Sequence, residues 1–216
     1  MMKQVNDLLR RISVNAHSSV RVKAGSTVIY IDPFALQGAP HDADLVFFTH
    51  DHFDHCSPED VARVSRDDTV FVLPQSSLEK TAAVTAGRPV IDVRPGDCGE
   101  ACGLAFEAVP AYNSDKPFHP RGNGWVGYVL TLDGLRLYIA GDTDATAEAA
   151  SVRCDLAMLP IGGKYTMNAA EAAALANRIR PSVVVPIHYG SVAGSFEDFD
   201  RFAAAVDPEI RVCRLV

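Results

Sequence analysis

Residues 50–55 read His-Asp-His-Phe-Asp-His. Three imidazoles and the Asp54 carboxylate within six positions form a donor set suited to zinc, with manganese or iron as alternatives. In an extended segment His50 and His52 share one face, and a turn after Phe53 brings Asp54 and His55 round to a second position. One short stretch can therefore serve two ions. Exposed histidine tracts normally sit in polar, flexible sequence. This one follows Leu45-Val46-Phe47-Phe48-Thr49, a continuous apolar run that predicts a strand buried on both faces.

Two other segments repeat the arrangement of buried strand, donor and glycine. Leu137-Tyr138-Ile139-Ala140 runs into Gly141-Asp142-Thr143, where glycine permits a sharp turn and Asp142 presents a carboxylate able to bridge two cations. Val183–Ile187 runs into His188-Tyr189-Gly190. Each segment alone is a weak signal, but three strand ends presenting metal-type residues point to a shared centre. The chemistry of such a centre is hydrolysis: a bound cation lowers the pKa of water and takes up negative charge as a carbonyl or phosphorus centre is attacked. Asp54, beside the attacking water, can accept its proton. Neither Gly-x-Ser-x-Gly nor a Gly-x-x-x-x-Gly-Lys loop occurs, so nucleophile-elbow and phosphate-loop chemistry have no footing.

The elements that must position these residues follow from periodicity. The spacing predicts a helix over 2–12, strands over 19–23, 27–31 and 45–49, and a helix started by Ser57-Pro58. A strand over 69–73, a helix over 76–86 and a strand over 90–93 follow. Strands over 103–109 and 125–132 flank an irregular loop, and Asp133-Gly134 predicts a hairpin into 135–140. Next come a strand over 155–159, a helix over 168–180 with an Asn168/Glu171 capping box, and a strand over 182–187. A last helix capped by Ser195 turns Phe196, Phe199 and Val206 inward, and a strand over 210–215 ends the chain. Both halves start with strands and then alternate helix and strand. Two packed sheets with helices outside bury these faces, an α+β arrangement.

The chain has 216 residues, 48% hydrophobic and 22% charged, without a linker or low-complexity run, which predicts a single globular domain over 1–216. A net charge of −7 disfavours a nucleic-acid groove. No apolar run reaches the ~20 residues of a membrane span. The absence of an export signal and five irregularly spaced cysteines predict a cytoplasmic protein.

Taken together, His17-Ser18-Ser19-Val20, Ile31-Asp32-Pro33, Thr49–His55, Ile139–Thr143, Leu159–Gly163 with Thr166-Met167, and Pro186–Gly190 resemble the metallo-β-lactamase superfamily. The match is to the branch that includes ascorbate-6-phosphate lactonases and N-acylphosphatidylethanolamine phospholipase D. The resemblance covers nearly the whole chain. It implies a four-layer αββα sandwich with metal at the sheet edges and a metal-dependent hydrolase of a small ester, lactone or phosphodiester, an anionic substrate included. One or two zinc ions are implied. His50 and His52 would hold the first metal; Asp54, His55 and His188 would hold the second, with Asp142 bridging. Asp32 resembles a buried aspartate behind the metal loop that orients ligand backbone or imidazole. The sequence departs from the family at the third histidine of the first metal. Asn113 aligns there, and His119 lies six residues on. Either His119 replaces it, Asn113 binds through oxygen, or the first site is incomplete; imidazole is the better ligand, which favours His119. An incomplete site would suit a non-catalytic metal-binding or sensing protein on the same fold. Nucleic-acid processing is a further alternative within the superfamily.

Of the remaining residues, His17 either lines the pocket or ends a strand, and His41 sits in a turn. Lys116, Lys164 and Tyr165 are candidates for an anionic substrate. Cys56 reads as a small buried apolar residue, and Cys98 and Cys102 lack the second pair of a zinc knuckle.

Overall fold

The computed structural model describes residues 2–216. Its first sheet holds β1 (Ile12–Val14), β2 (Val20–Ala24), β3 (Thr27–Ile31), β4 (Ala43–Phe47), β5 (Ser65–Pro74) and β6 (Val90–Val93). The second holds β7 (Cys98–Ala101), β8 (Leu104–Pro110), β9 (Val126–Leu132), β10 (Leu135–Ile139), β11 (Leu156–Pro160), β12 (Val183–Ile187) and β13 (Arg211–Val212). Each sheet runs in chain order. Pairing is antiparallel up to β3 and parallel from β3 to β6; in the second sheet it is antiparallel up to β10 and parallel beyond. The two halves of the chain thus share the organisation read from their element order.

Alternation decides what each sheet buries. Val20, Val22, Ile29, Ile31, Leu45 and Phe47 of the first sheet face Phe106, Tyr128, Leu130, Leu137, Met158 and Val185 of the second, forming the central core. The outer face of the first sheet, including Val46 and Phe71, packs with α2 (Pro58–Val64). That of the second, including Tyr138 and Val184, lies under α4 (Ala169–Ile179) and α5 (Glu197–Ala205). Helices thus cover both outer faces, as the αββα expectation requires. No described helix is long and apolar enough to cross a membrane.

The capping box of α4 is formed at both of its hydrogen bonds, and Ser57 caps α2 with Pro58 at the first position. Four local readings need correction. The first helix, α1 (Met2–Leu9), stops three residues early because Ile12 pairs with Val22 in the sheet. The hairpin of β7 with β8 was not anticipated; Cys102 and Gly103 turn it with φ of 49° and 77°. Before α5, Ser195 does not cap but is itself held by Asp198, and Phe196 is exposed while Phe202 is buried. The last strand shrinks to Arg211–Val212.

Candidate metal centre

The predicted donors come from chain segments far apart and meet at one end of the sandwich, beyond the carboxyl ends of parallel strands. That is the usual place for ligands on such sheets. β4 delivers residues 50–55, β10 delivers Asp142, and β12 delivers His188. The donor loop is tied across the sandwich: the Tyr128 hydroxyl donates to the Phe48 carbonyl (2.9 Å) and Val126 N–H to the Thr49 carbonyl (3.1 Å). Glycine at 162 is required, because a Cβ there would stand 2.4 Å from the His188 carbonyl oxygen. His17, Asp32 and His188 all adopt left-handed backbone, with φ of 54°, 49° and 57°. Strain of this kind persists where packing over-determines a functional geometry.

Three overlapping groups of donor atoms lie within 4.8 Å of one another: His50, His52 and His119; His17, Asp54, His55 and His188; and His50, His55 and Asp142. Asp142 sits at the centre. Its Oδ2 is 3.0 Å from His188 Nε2 and 3.2 Å from His119 Nε2, and its Oδ1 is 3.3 Å from His55 Nε2. All seven predicted donors, His50, His52, Asp54, His55, His119, Asp142 and His188, are brought together, and His17 joins them. His17 Nε2 lies 3.3 Å from Asp54 Oδ2 without forming a hydrogen bond, and its ring centroid is 3.7 Å from that of His188, the two rings tilted at 43°.

Neighbours fix which ring nitrogen faces inward. His119 Nδ1 lies 3.0 Å from Asn113 Oδ1 and 3.1 Å from the Tyr165 carbonyl, two acceptors that demand a proton there and leave Nε2 with its lone pair. Asn113 does not face the other donors. Its amide donates to Asp144 and to Tyr165, so it braces His119. Asp32 accepts from Thr49 N–H (2.8 Å) and Thr49 Oγ1 (2.6 Å), and its Oδ2 is 2.7 Å from His55 Nδ1. It therefore orients both the loop backbone and an imidazole. Thr49 Oγ1, its proton given to Asp32, can accept from His50 Nδ1 at 2.9 Å. Trp125, which sequence reasoning passed over, walls the first group, with its ring centroid 5.0 Å from His50 and 4.8 Å from His52.

Charge follows the same layout. Burial, with neighbouring imidazoles, pushes His50 well below its ordinary pKa. His52 is lowered by burial and by His119, and His17 is lowered to about 4, mainly by burial. Burial opposes the charge on His55, but the Asp142 and Asp32 carboxylates raise it well above the usual range. Burial likewise works against ionised Asp142, yet His188 and His55 hold it well below the usual carboxylate range.

This centre fits a metal on its own chemistry. Twelve buried side-chain polar atoms lack a hydrogen-bond partner among the described residues, and six belong here: His17 Nε2, His55 Nε2, His119 Nε2, Asp142 Oδ1 and both nitrogens of His188. Unpartnered buried polar atoms are costly, so the five that gather around Asp142, all but His188 Nδ1, which lies beside Gly162, call for an ion. Above them lies a cavity of about 310 Å³, floored by His52, Asp54, His119, Asp142 and His188, with Phe53, Phe118, Tyr165 and Val192 around it. Of the residues suggested for an anion, Tyr165 lines the cavity, while the two lysines are engaged elsewhere. Lys116 Nζ is 2.7 Å from Asp144, and the Lys164 ammonium lies over the Tyr165 ring. Cys56 is buried in the outer core of the first sheet, His41 is exposed, and Cys98 and Cys102 are free and exposed.

A fold with two sheets in chain order and donors at its strand ends defines a class, and comparison with known proteins agrees with it. Residues 11–188 match the β-lactamase superfamily domain, and the chain belongs to that family. The UPF0173 metal-dependent hydrolase of Methanosphaerula palustris is 30% identical over 210 residues, covering 91% of each chain. A crystal structure from Parabacteroides distasonis, of a protein provisionally named a metal-dependent hydrolase, superposes with a TM-score of 0.81 at 32% identity, covering 94% of this chain and 91% of that one. The metallo-β-lactamase fold protein YhfI from Bacillus subtilis superposes at 0.75 with 12% identity over 94% and 95% of the two chains, a likeness of fold.

Proposed function

We propose that the protein is a metal-dependent hydrolase of a small ester, lactone or phosphodiester, with one or two zinc ions as its cofactor and manganese or iron as alternatives. The observation that carries this reading is the convergence of partnerless buried donors on Asp142. His50 Nε2, His52 Nδ1 and His119 Nε2 would hold one ion. Asp54, His55 and His188, with His17 beside them, would hold the other, and Asp142 would touch both. A cation held there lowers the pKa of water into the neutral range and withdraws charge from a carbonyl or phosphoryl oxygen. The chain supplies the rest. Asp54, at the cavity floor, accepts the proton released as water attacks. Asp32 and Asn113 keep the imidazoles from rotating as charge builds, and the cavity walls limit bulk water. Relatives named as metal-dependent hydrolases support the same reading. With His119 rather than Asn113 facing the other donors, a non-catalytic metal-binding role has lost the observation that favoured it.

The test is metal analysis with a matched activity screen. Trp125 is the single tryptophan and lies against His50, His52 and His119. Titrating metal-free protein with cobalt should quench its fluorescence saturably, and zinc-loaded protein should hydrolyse generic ester, lactone or phosphodiester substrates until chelator is added. Unchanged fluorescence and chelator-insensitive activity would reject the proposal.

A further inference from the structure

We infer that the cavity selects a substrate with an uncharged apolar arm, a short alkyl chain or single ring beside the scissile bond, in preference to an anionic one; the inference rests on the hydrolase reading above. Six large hydrophobic side chains are exposed among the described residues, and three of them, Phe53, Phe118 and Val192, line this one cavity. Monomers seldom gather exposed apolar groups in one place except at a binding site. Their positions are telling. Phe53 is 69% exposed and directly follows His52; Phe118 is 40% exposed and directly precedes His119. Each ring therefore stands one residue from a proposed metal donor. Phe118 meets Tyr165 edge-on at 4.8 Å, and Phe53 meets Phe34 edge-on at 6.1 Å, so the rings have aromatic support on one side and the cavity on the other.

Charge points the same way. No lysine or arginine lines the cavity. Lys116 is held by Asp144 and Asp115, and Lys164 is stacked on Tyr165. The ionisable side chains that do line it are histidines, the Tyr165 phenol and the carboxylates Asp54 and Asp142. A phosphate or carboxylate on the distal end of a substrate would find no fixed cation to pair with and would be dehydrated against phenyl rings. The volume of about 310 Å³ lies at the small end of ligand pockets, room for one modest arm.

Binding of hydroxamates to the zinc-loaded protein, followed by calorimetry, tests this without turnover. The series runs from acetohydroxamate through butano- and hexanohydroxamate to octanohydroxamate, with adipic monohydroxamate as the charged counterpart of the six-carbon member. Affinity should rise about fourfold per methylene until the cavity fills. The adipic compound should bind at least about tenfold more weakly than hexanohydroxamate. Phe53→Ser and Phe118→Ser, both at exposed positions, should each flatten the chain-length dependence. Leu78→Ser, an exposed apolar residue outside the cavity, should preserve it. Acetohydroxamate binding with no gain along the series, or tighter binding of the adipic compound, overturns the apolar arm and leaves the hydrolase reading standing. Failure of every hydroxamate to bind the loaded protein overturns both.

Discussion

The two donor groups on either side of Asp142 are held by different means. His188 directly follows β12 and His55 lies in the turn beyond β4; both are fully buried, and Asp32 grips the far nitrogen of His55 from the end of β3. The opposite group depends on His52, which is half-buried, and on His119, which belongs to no strand and is held by Asn113 and the Tyr165 carbonyl. Donors locked by burial and by a hydrogen-bonding neighbour keep their geometry within tighter limits than half-buried ones. The His55 side should therefore bind its ion more tightly. The His52 side, with its half-buried donor, should exchange more readily.

The change with the largest expected effect removes what the two groups share. Asp142→Ala should strip metal from both and lower kcat/KM by about three orders of magnitude or more, with circular dichroism unchanged. Full metal content and activity in this variant would break the idea of a shared centre. Asp32→Asn should separate the groups. Asparagine tolerates the left-handed backbone at 32, so the fold survives, but the orienting carboxylate is lost. Metal affinity on the His55 side should fall about ten- to a hundredfold, and by less at the other group, which Asp32 reaches only through Thr49 and His50, as read by competition against a chelator. Asn113→Ala is the mirror experiment. It frees His119 and should weaken only the His52 side, by about tenfold. Equal losses at both groups in either variant would show that the difference between them is not real.

A smaller change away from the centre sets the baseline. Burial works against an ionised Asp42, but Arg21 and Tyr30, at 2.6 and 2.9 Å, hold its carboxyl below the usual range. A lowered folded-state pKa stabilises above the ordinary carboxyl value, and that contribution is lost as pH falls through the folded value. Asp42→Asn should thus cost about 0.5 kcal/mol near neutrality and nothing in strong acid, measured by denaturant unfolding. Metal content should not change.

The contrast between the groups also explains what could be read from sequence. His50–His55 is legible because its spacing is local, and Asp142 and His188 because each follows a buried apolar strand. The sandwich itself is legible for the same reason: strands buried on both faces leave no other way to cover them. His119 is harder to place because the loop over 112–124 has no periodicity, so imidazole chemistry rather than position favours it. The bracing role of Asn113 depends on a carbonyl at Tyr165, far along the chain, and has no sequence signal. Trp125 looks like any core aromatic until the rings it contacts are known. His17 reaches the site through a left-handed turn between β1 and β2 that spacing could not reveal. Phe196 was read as an inward face of its helix; it instead precedes the first turn of α5 and stays exposed.

Diffraction at a metal absorption edge, from crystals of the metal-loaded protein, bears most directly on the central claim that residues remote in the chain share common ions. The account predicts anomalous density about 2.0–2.2 Å from His50, His52 and His119 and from Asp54, His55 and His188, with Asp142 in contact with both positions. Density held only by residues adjacent in sequence, with Asp142 and His188 uncoordinated, would contradict it.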